Sequence, residues 1–276
     1  MILAATTDHG QQLAVAPRRW PFFAQEYLRI MRSRLALIIW AVLLYTLAAV
    51  PFIMAKPPPE LLHFIGSWLG TEAAHAKLLL FMWVDASMNK LAVILGPALA
   101  GGIIVEERSR GSLDLLAAKP IGAGDYFTVK LAAAAAALAT FYVAACVGAA
   151  LTFPWRVDGF DVSDFAALSF VHLFAALFAV TFAGAMATFF SRKLTGMLVS
   201  VAVLGTLAGS AFLGFYYPAY RTVSYLNPFF DGIVLIGSIN QFGIFEVLAP
   251  VGVLLGFNLA FWMIGRHRAV QLLERG

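Results

Sequence analysis

Between Leu35 and Ala55 the chain runs for 21 residues without a charged side chain. A helix of that length rises about 30 Å, the thickness of a bilayer's hydrocarbon core. Inside hydrocarbon every backbone N–H and C=O needs an internal partner, so a run this long is a helix and not a loop. The pattern then repeats. Apolar runs of similar length recur at about 84–105, 127–153, 165–190, 194–217 and 244–264. Composition agrees: 61% of the 276 residues are hydrophobic and 12% charged, against about 45–50% and about 25% in soluble domains. A soluble fold of this size could not hide so much apolar surface. The sequence therefore predicts an all-α, polytopic membrane protein with six transmembrane helices.

The segments between these runs set the organisation. Residues 1–20 read as a loose polar tail and 21–276 as one membrane domain. The first 34 residues lack the basic, apolar, small-residue order of a cleavable signal, so the first span is expected to stay as an anchor. Pro21 to Arg34 reads as an amphipathic helix. Phe23, Tyr27, Ile30 and Met31 share one side, and Gln25, Glu26, Arg29 and Arg32 the other, as in a helix lying in a membrane interface. Lys56-Pro57-Pro58-Pro59 ends the first span. Residues 60–83, interrupted by Glu60, His63, Glu72, His75 and Lys77, read as an external amphipathic segment leading into the second span. Pro97 with Gly96, Gly101 and Gly102 is expected to kink or loosen that span. Gly122-Ala123-Gly124 reads as a turn, with Asp125 as the N-cap of the third span. Residues 218–243, broken by Pro218, Pro228 and Gly232, are expected at or partly within the outer interface.

Basic residues orient the chain. With the N-terminus inside, the inner loops hold 14 of the 19 lysines and arginines, leaving Lys56, Lys77, Lys90, Arg156 and Arg221 outside. Both termini are thus expected on the cytoplasmic side. The net charge of +4 reflects this bias and calls for no nucleic-acid partner.

No Gly-x-x-x-x-Gly-Lys-[Ser/Thr] loop occurs, so the chain has no recognisable phosphate cradle. His-Glu-x-x-His, Cys-x-x-Cys and Gly-x-Ser-x-Gly are also absent. Energy for moving a solute would come from a gradient or a partner.

One water-exposed stretch is patterned: Glu106-Glu107-Arg108-Ser109-Arg110-Gly111-Ser112-Leu113-Asp114-Leu115-Leu116-Ala117-Ala118-Lys119-Pro120. Gly111 breaks the chain after the charges, Ser112 is placed to N-cap, and Asp114 suits the positive helix start. Leu113, Leu116 and Ala117 then share one face, and Lys119-Pro120 stops the helix. A capped helix with one greasy face suits either a groove in another protein or the membrane surface. Glu-Glu-Arg-x-x-Gly-Ser-Leu-x-Leu-Leu-x-x-x-Pro between a second and a third span resembles the signature of type 2 ABC export permeases. The resemblance implies six spans, an N-terminal interfacial helix and a cytoplasmic coupling helix between spans two and three. It also implies a re-entrant outer segment before the sixth span, where Leu226-Asn227-Pro228 is similar to an Asn-Pro element of the family. It further implies two ATPase subunits carrying ATP and Mg, a second permease subunit, identical or homologous, and an inner-membrane location. Carried over by position, the ATPase-coupling residues are Glu106, Glu107, Arg108, Arg110, Gly111, Leu113, Leu115, Leu116 and Pro120. The outer segment 56–83 is longer than that pattern.

Polar residues inside spans are the remaining candidates, because a charge at the bilayer centre costs about 2.5–3.5 kcal/mol on insertion scales. Asp85 and Asn89 fall on one face, either lining a vestibule or, for Asp85, pairing with Lys90. His172 reads as a bundle hydrogen-bonder or a pathway residue. Asn258 reads as interhelical glue or a substrate contact. Eight methionines are ordinary packing in so apolar a chain, so His63, His75, Met82 and Met88 are not read as a metal site. No cofactor is expected on this chain, and Cys146 reads as a packed thiol. Beside the exporter subunit stand two alternatives: a membrane assembly or maturation factor on the same fold, and a gradient-driven carrier.

Overall fold

A computed structural model describes residues 19–105, 122–157, 159–239 and 241–274. The tail before Arg19 and the whole stretch Glu106–Pro120, with its nine coupling residues, lie outside them. Among the described residues there is no strand, and six helices are long and apolar enough to cross a membrane. They mark a multi-pass membrane protein.

A first helix, α1 (Arg19–Met31), precedes the six. The six are built from α2 (Arg34–Met54), the composite of α4 (Ala74–Phe81), a π-helical turn (Met82–Asn89) and α5 (Lys90–Ala100), then α6 (Ala123–Thr152), α7 (Val162–Ala187), α8 (Lys193–Ser210) and α12 (Ile244–Glu274). Shorter helices fill the connections: α3 (Pro59–Leu69), α9 (Leu213–Tyr216), α10 (Arg221–Ser224) and α11 (Pro228–Ile233).

The core is organised on α7. Phe165, Leu168, Val171, Ala175, Phe178, Ala179 and Val180 are all buried, and the helix is the most deeply covered of the six. It packs against α5, α6, α11 and α12. Small residues allow the approach. A Cβ on Gly96 would lie 2.7 Å from the backbone carbon of Ala179, so α5 and α7 touch main chain to main chain. By contrast α2, α8 and α12 turn Leu37, Phe52, Leu198, Phe245 and Leu259 outward, as lipid-facing helices do.

Helix starts follow local chemistry. Ser33 Oγ accepts from Ala36 N–H at 3.2 Å and caps α2. Asp161 Oδ1 accepts from Ser163 N–H (2.7 Å) and Asp164 N–H (3.0 Å), capping α7. The Ser163 hydroxyl, and then these amides, hold its carboxyl below the ordinary carboxylate range. Asp125 is not the cap of α6: Gly122 holds that position, and Asp125 sits in the first turn, where a carboxylate still suits the helix dipole.

Three boundaries differ from the sequence reading. The second crossing helix begins at Ala74 rather than near residue 84. Its polar residues are absorbed internally: Lys77 donates to Leu69 O at 2.6 Å, and His75 Nε2 lies 2.8 Å from Met54 O. The segment 60–83 is thus divided, with α3 separate and the remainder in the crossing helix. At the far end α5 stops at Ala100, and the Gly101 N–H bonds Pro97 O at 2.8 Å. Finally, α12 continues to Glu274, about 46 Å in all and longer than a hydrocarbon core.

The segment before α12 enters the bundle. Phe229, Phe230, Ile233 and Ile236 are fully buried. Asn227 anchors it, accepting from Phe229 N–H at 3.0 Å and donating to Leu207 O at 2.7 Å. Gly232 then lies flat on α7. A Cβ there would meet the Ala175 Cβ at 2.7 Å and the His172 Cδ2 at 3.3 Å.

The start of α6 meets both α1, where Phe22 stacks on Tyr126 at 5.4 Å, and the end of α12, where Gly124 faces Arg266. These elements define one end of the bundle. Along α6, Tyr27 of α1 also hydrogen-bonds Thr140 at 3.0 Å.

Candidate functional site

Two polar features lie side by side at mid-bundle. The first is a buried chain. In the π turn, hydrogen bonds run from residue i to i+5, which brings Lys90 over Asp85: the Lys90 Nζ is 3.8 Å from Asp85 Oδ2. That turn also aims Asn89 at α7, where it is only 1% exposed. His172 Nε2 meets Asn89 Oδ1 at 2.7 Å, and the Tyr142 hydroxyl meets His172 Nδ1 at 2.8 Å. An amide oxygen only accepts, so Nε2 donates. In the neutral ring Nδ1 then accepts, and the Tyr142 O–H donates. One tautomer satisfies both contacts and ties three helices together. Around it the Trp83 Nε1, Asn89 Nδ2 and Ser169 Oγ are buried with no hydrogen-bond partner among the described residues. Tyr142, Cys146 and Ser169 also line an apolar cavity of about 260 Å³ between α6 and α7.

The second feature is Asp231, on α11 beside Gly232. It is 0% exposed, and among the described residues neither carboxylate oxygen has a hydrogen-bond partner. A cavity of about 380 Å³ reaches it, bordered by Arg221 and Tyr225 at α10, by Ser238, and by Phe245, Glu246 and Val253 of α12. Because Gly232 rests on His172, ten residues into α7, Asp231 lies about 15 Å from that helix's start.

The residues singled out in the sequence separate into three places. Asn89 and His172 meet in the chain. Asp85 stays with Lys90, away from His172. Asn258 joins α12 to α7, donating to Phe174 O (3.0 Å) and Leu254 O (2.8 Å) and accepting from the Thr181 hydroxyl (3.0 Å). It has no donor or acceptor left for a ligand beyond one lone pair. Sequence reasoning missed Tyr142 and Asp231. Tyr142 lies 30 residues from His172 with no local signal of the pairing. Asp231 did carry a signal, being an ionisable residue within the apolar segment Pro228–Ser238. Compared with family models and with curated proteins, the chain matches none.

Proposed function

We propose that the chain is the membrane subunit of an ATP-binding-cassette exporter, driven by an ATPase on a separate chain. One observation carries this reading. The patterned stretch Glu106–Pro120 falls between the second and third of six helices long enough to cross a membrane, the place where such permeases keep a coupling helix. The chain's lack of a phosphate loop supports the assignment of ATP and Mg to the partner. In this reading α1 is the amphipathic interfacial helix, both termini are cytoplasmic and the location is a bacterial-type inner membrane. Pro228–Ser238 is the re-entrant outer segment. Two permease and two ATPase subunits make the working unit. ATPase closure pushes the coupling helix and tilts the second span, with the turns after Ala100 supplying compliance.

Co-purification of a phosphate-loop ATPase, with solute-stimulated turnover in proteoliposomes, tests the proposal. Leu116→Asp is expected to retain ATPase binding poorly or to uncouple turnover from solute. Normal binding together with normal coupled turnover would overturn the coupling role. Turnover indifferent to every solute would instead favour the assembly-factor alternative.

A gradient-driven carrier is the second reading, and a buried ionisable group within an apolar segment, Asp231 in Pro228–Ser238, favours it. Transport that collapses with the ion gradient and ignores ATP would select it.

A further inference from the structure

We infer that the cavity over Asp231 is a binding site for an organic ammonium ion with apolar flanks. The charge balance comes first. Arg221 and Glu246 are exposed at the mouth, one of each sign. The uncompensated group is Asp231, which borders the cavity; its carboxylate oxygens are covered, and among the described residues neither has a hydrogen-bond partner. A lone carboxylate sealed from water is strongly disfavoured unless a countercharge joins it. The lining then selects the kind of cation. A small hard ion such as Ca²⁺ or Mg²⁺ is held by six or more oxygens, whereas the side-chain oxygens bordering this space are those of Asp231, Glu246, Tyr225 and Ser238, and Val234, Leu235, Ala249, Pro250 and Val253 make much of the rest apolar. An organic ammonium needs no such shell and brings its own apolar surface. Tyr225 borders the same space with an aromatic ring, the kind of group that attracts ammonium ions. The volume, about 380 Å³, falls in the range of small-molecule sites.

That such a ligand is transported rests on the exporter reading; that it binds does not. The test uses the purified full chain in detergent, titrated with benzyltrimethylammonium and with its uncharged carbon isostere, neopentylbenzene. The expected result is saturable binding of the cation only. Asp231→Asn should weaken it at least tenfold. Arg221→Gln, which removes the repelling charge at the mouth, should strengthen it a few-fold. Val253→Trp fills the wall from a position already 42% exposed, where the fold tolerates bulk, and should block it. No saturable binding, equal binding of the neutral isostere, or cation binding that survives both Asp231→Asn and Val253→Trp would overturn the inference. Should Asp231→Asn fail to fold, survival of binding in Val253→Trp alone overturns it. ATPase co-purification from the same preparation reads the exporter proposal separately. Cation binding without the ATPase sinks only the exporter, and the ATPase without cation binding sinks only this site.

Discussion

His172 and Asp231 are both fully buried and lie on either side of Gly232, yet the fold treats them oppositely. His172 has a partner on each ring nitrogen, drawn from two other helices. Asp231 has none. Hydrogen bonds between buried groups specify packing, while an unsatisfied buried charge lowers stability unless something binds it. The first is therefore an architectural joint of the bundle, and the second is the place where a ligand would be felt.

Substitutions can break this contrast. His172→Leu should be the most damaging, since it strands the Asn89 amide and the Tyr142 hydroxyl at about 1–3 kcal/mol each. The readout is a large fall in the apparent Tm of the detergent-solubilised protein, and an unchanged Tm would mean the chain carries no structural load. Gly232→Val should come next, costing about 1–3 kcal/mol by overpacking as its side chain meets Ala175 and His172. It should also loosen α11, so increased proteolysis within 228–238 is the accompanying sign. Asp231→Asn should move the other way. It replaces an acid that must either hold a proton or stand uncompensated in the core, and should stabilise the fold by on the order of 1 kcal/mol, read as a raised apparent Tm. A clear destabilisation would show that Asp231 has a partner within the fold. The smallest effect belongs to Asp161. Its carboxyl is held below its unfolded value, so its capping contribution is complete above about pH 4 and fades as pH falls through the lower folded pKa. Asp161→Asn keeps a capping oxygen without the titration, and its acid melting curve should be flatter than that of the native protein.

Much of the fold was legible in the chain because hydrocarbon imposes a simple rule. A charge-free run of about 20 residues has no option but a helix, and Leu35–Ala55 behaves accordingly as Arg34–Met54. Boundaries failed where polar groups found tertiary partners. Lys77 and His75 argued against a span until Leu69 O and Met54 O, contributed by other helices, accepted or shared their hydrogen bonds. The π turn was equally hidden, as its wider winding shows no composition of its own and declares itself only by stacking Lys90 over Asp85.

By itself the sequence determined the all-helical class, the number of crossing helices and the candidacy of Asn89 and His172, since these depend on local hydropathy and residue chemistry. Only the tertiary structure decided that those two meet, that Tyr142 completes the chain, and that Asp231 is left without a partner beneath a cavity. Hydrogen bonds between residues 83 positions apart depend on how helices pack, and that packing turns on details as small as the missing side chains of Gly96 and Gly232.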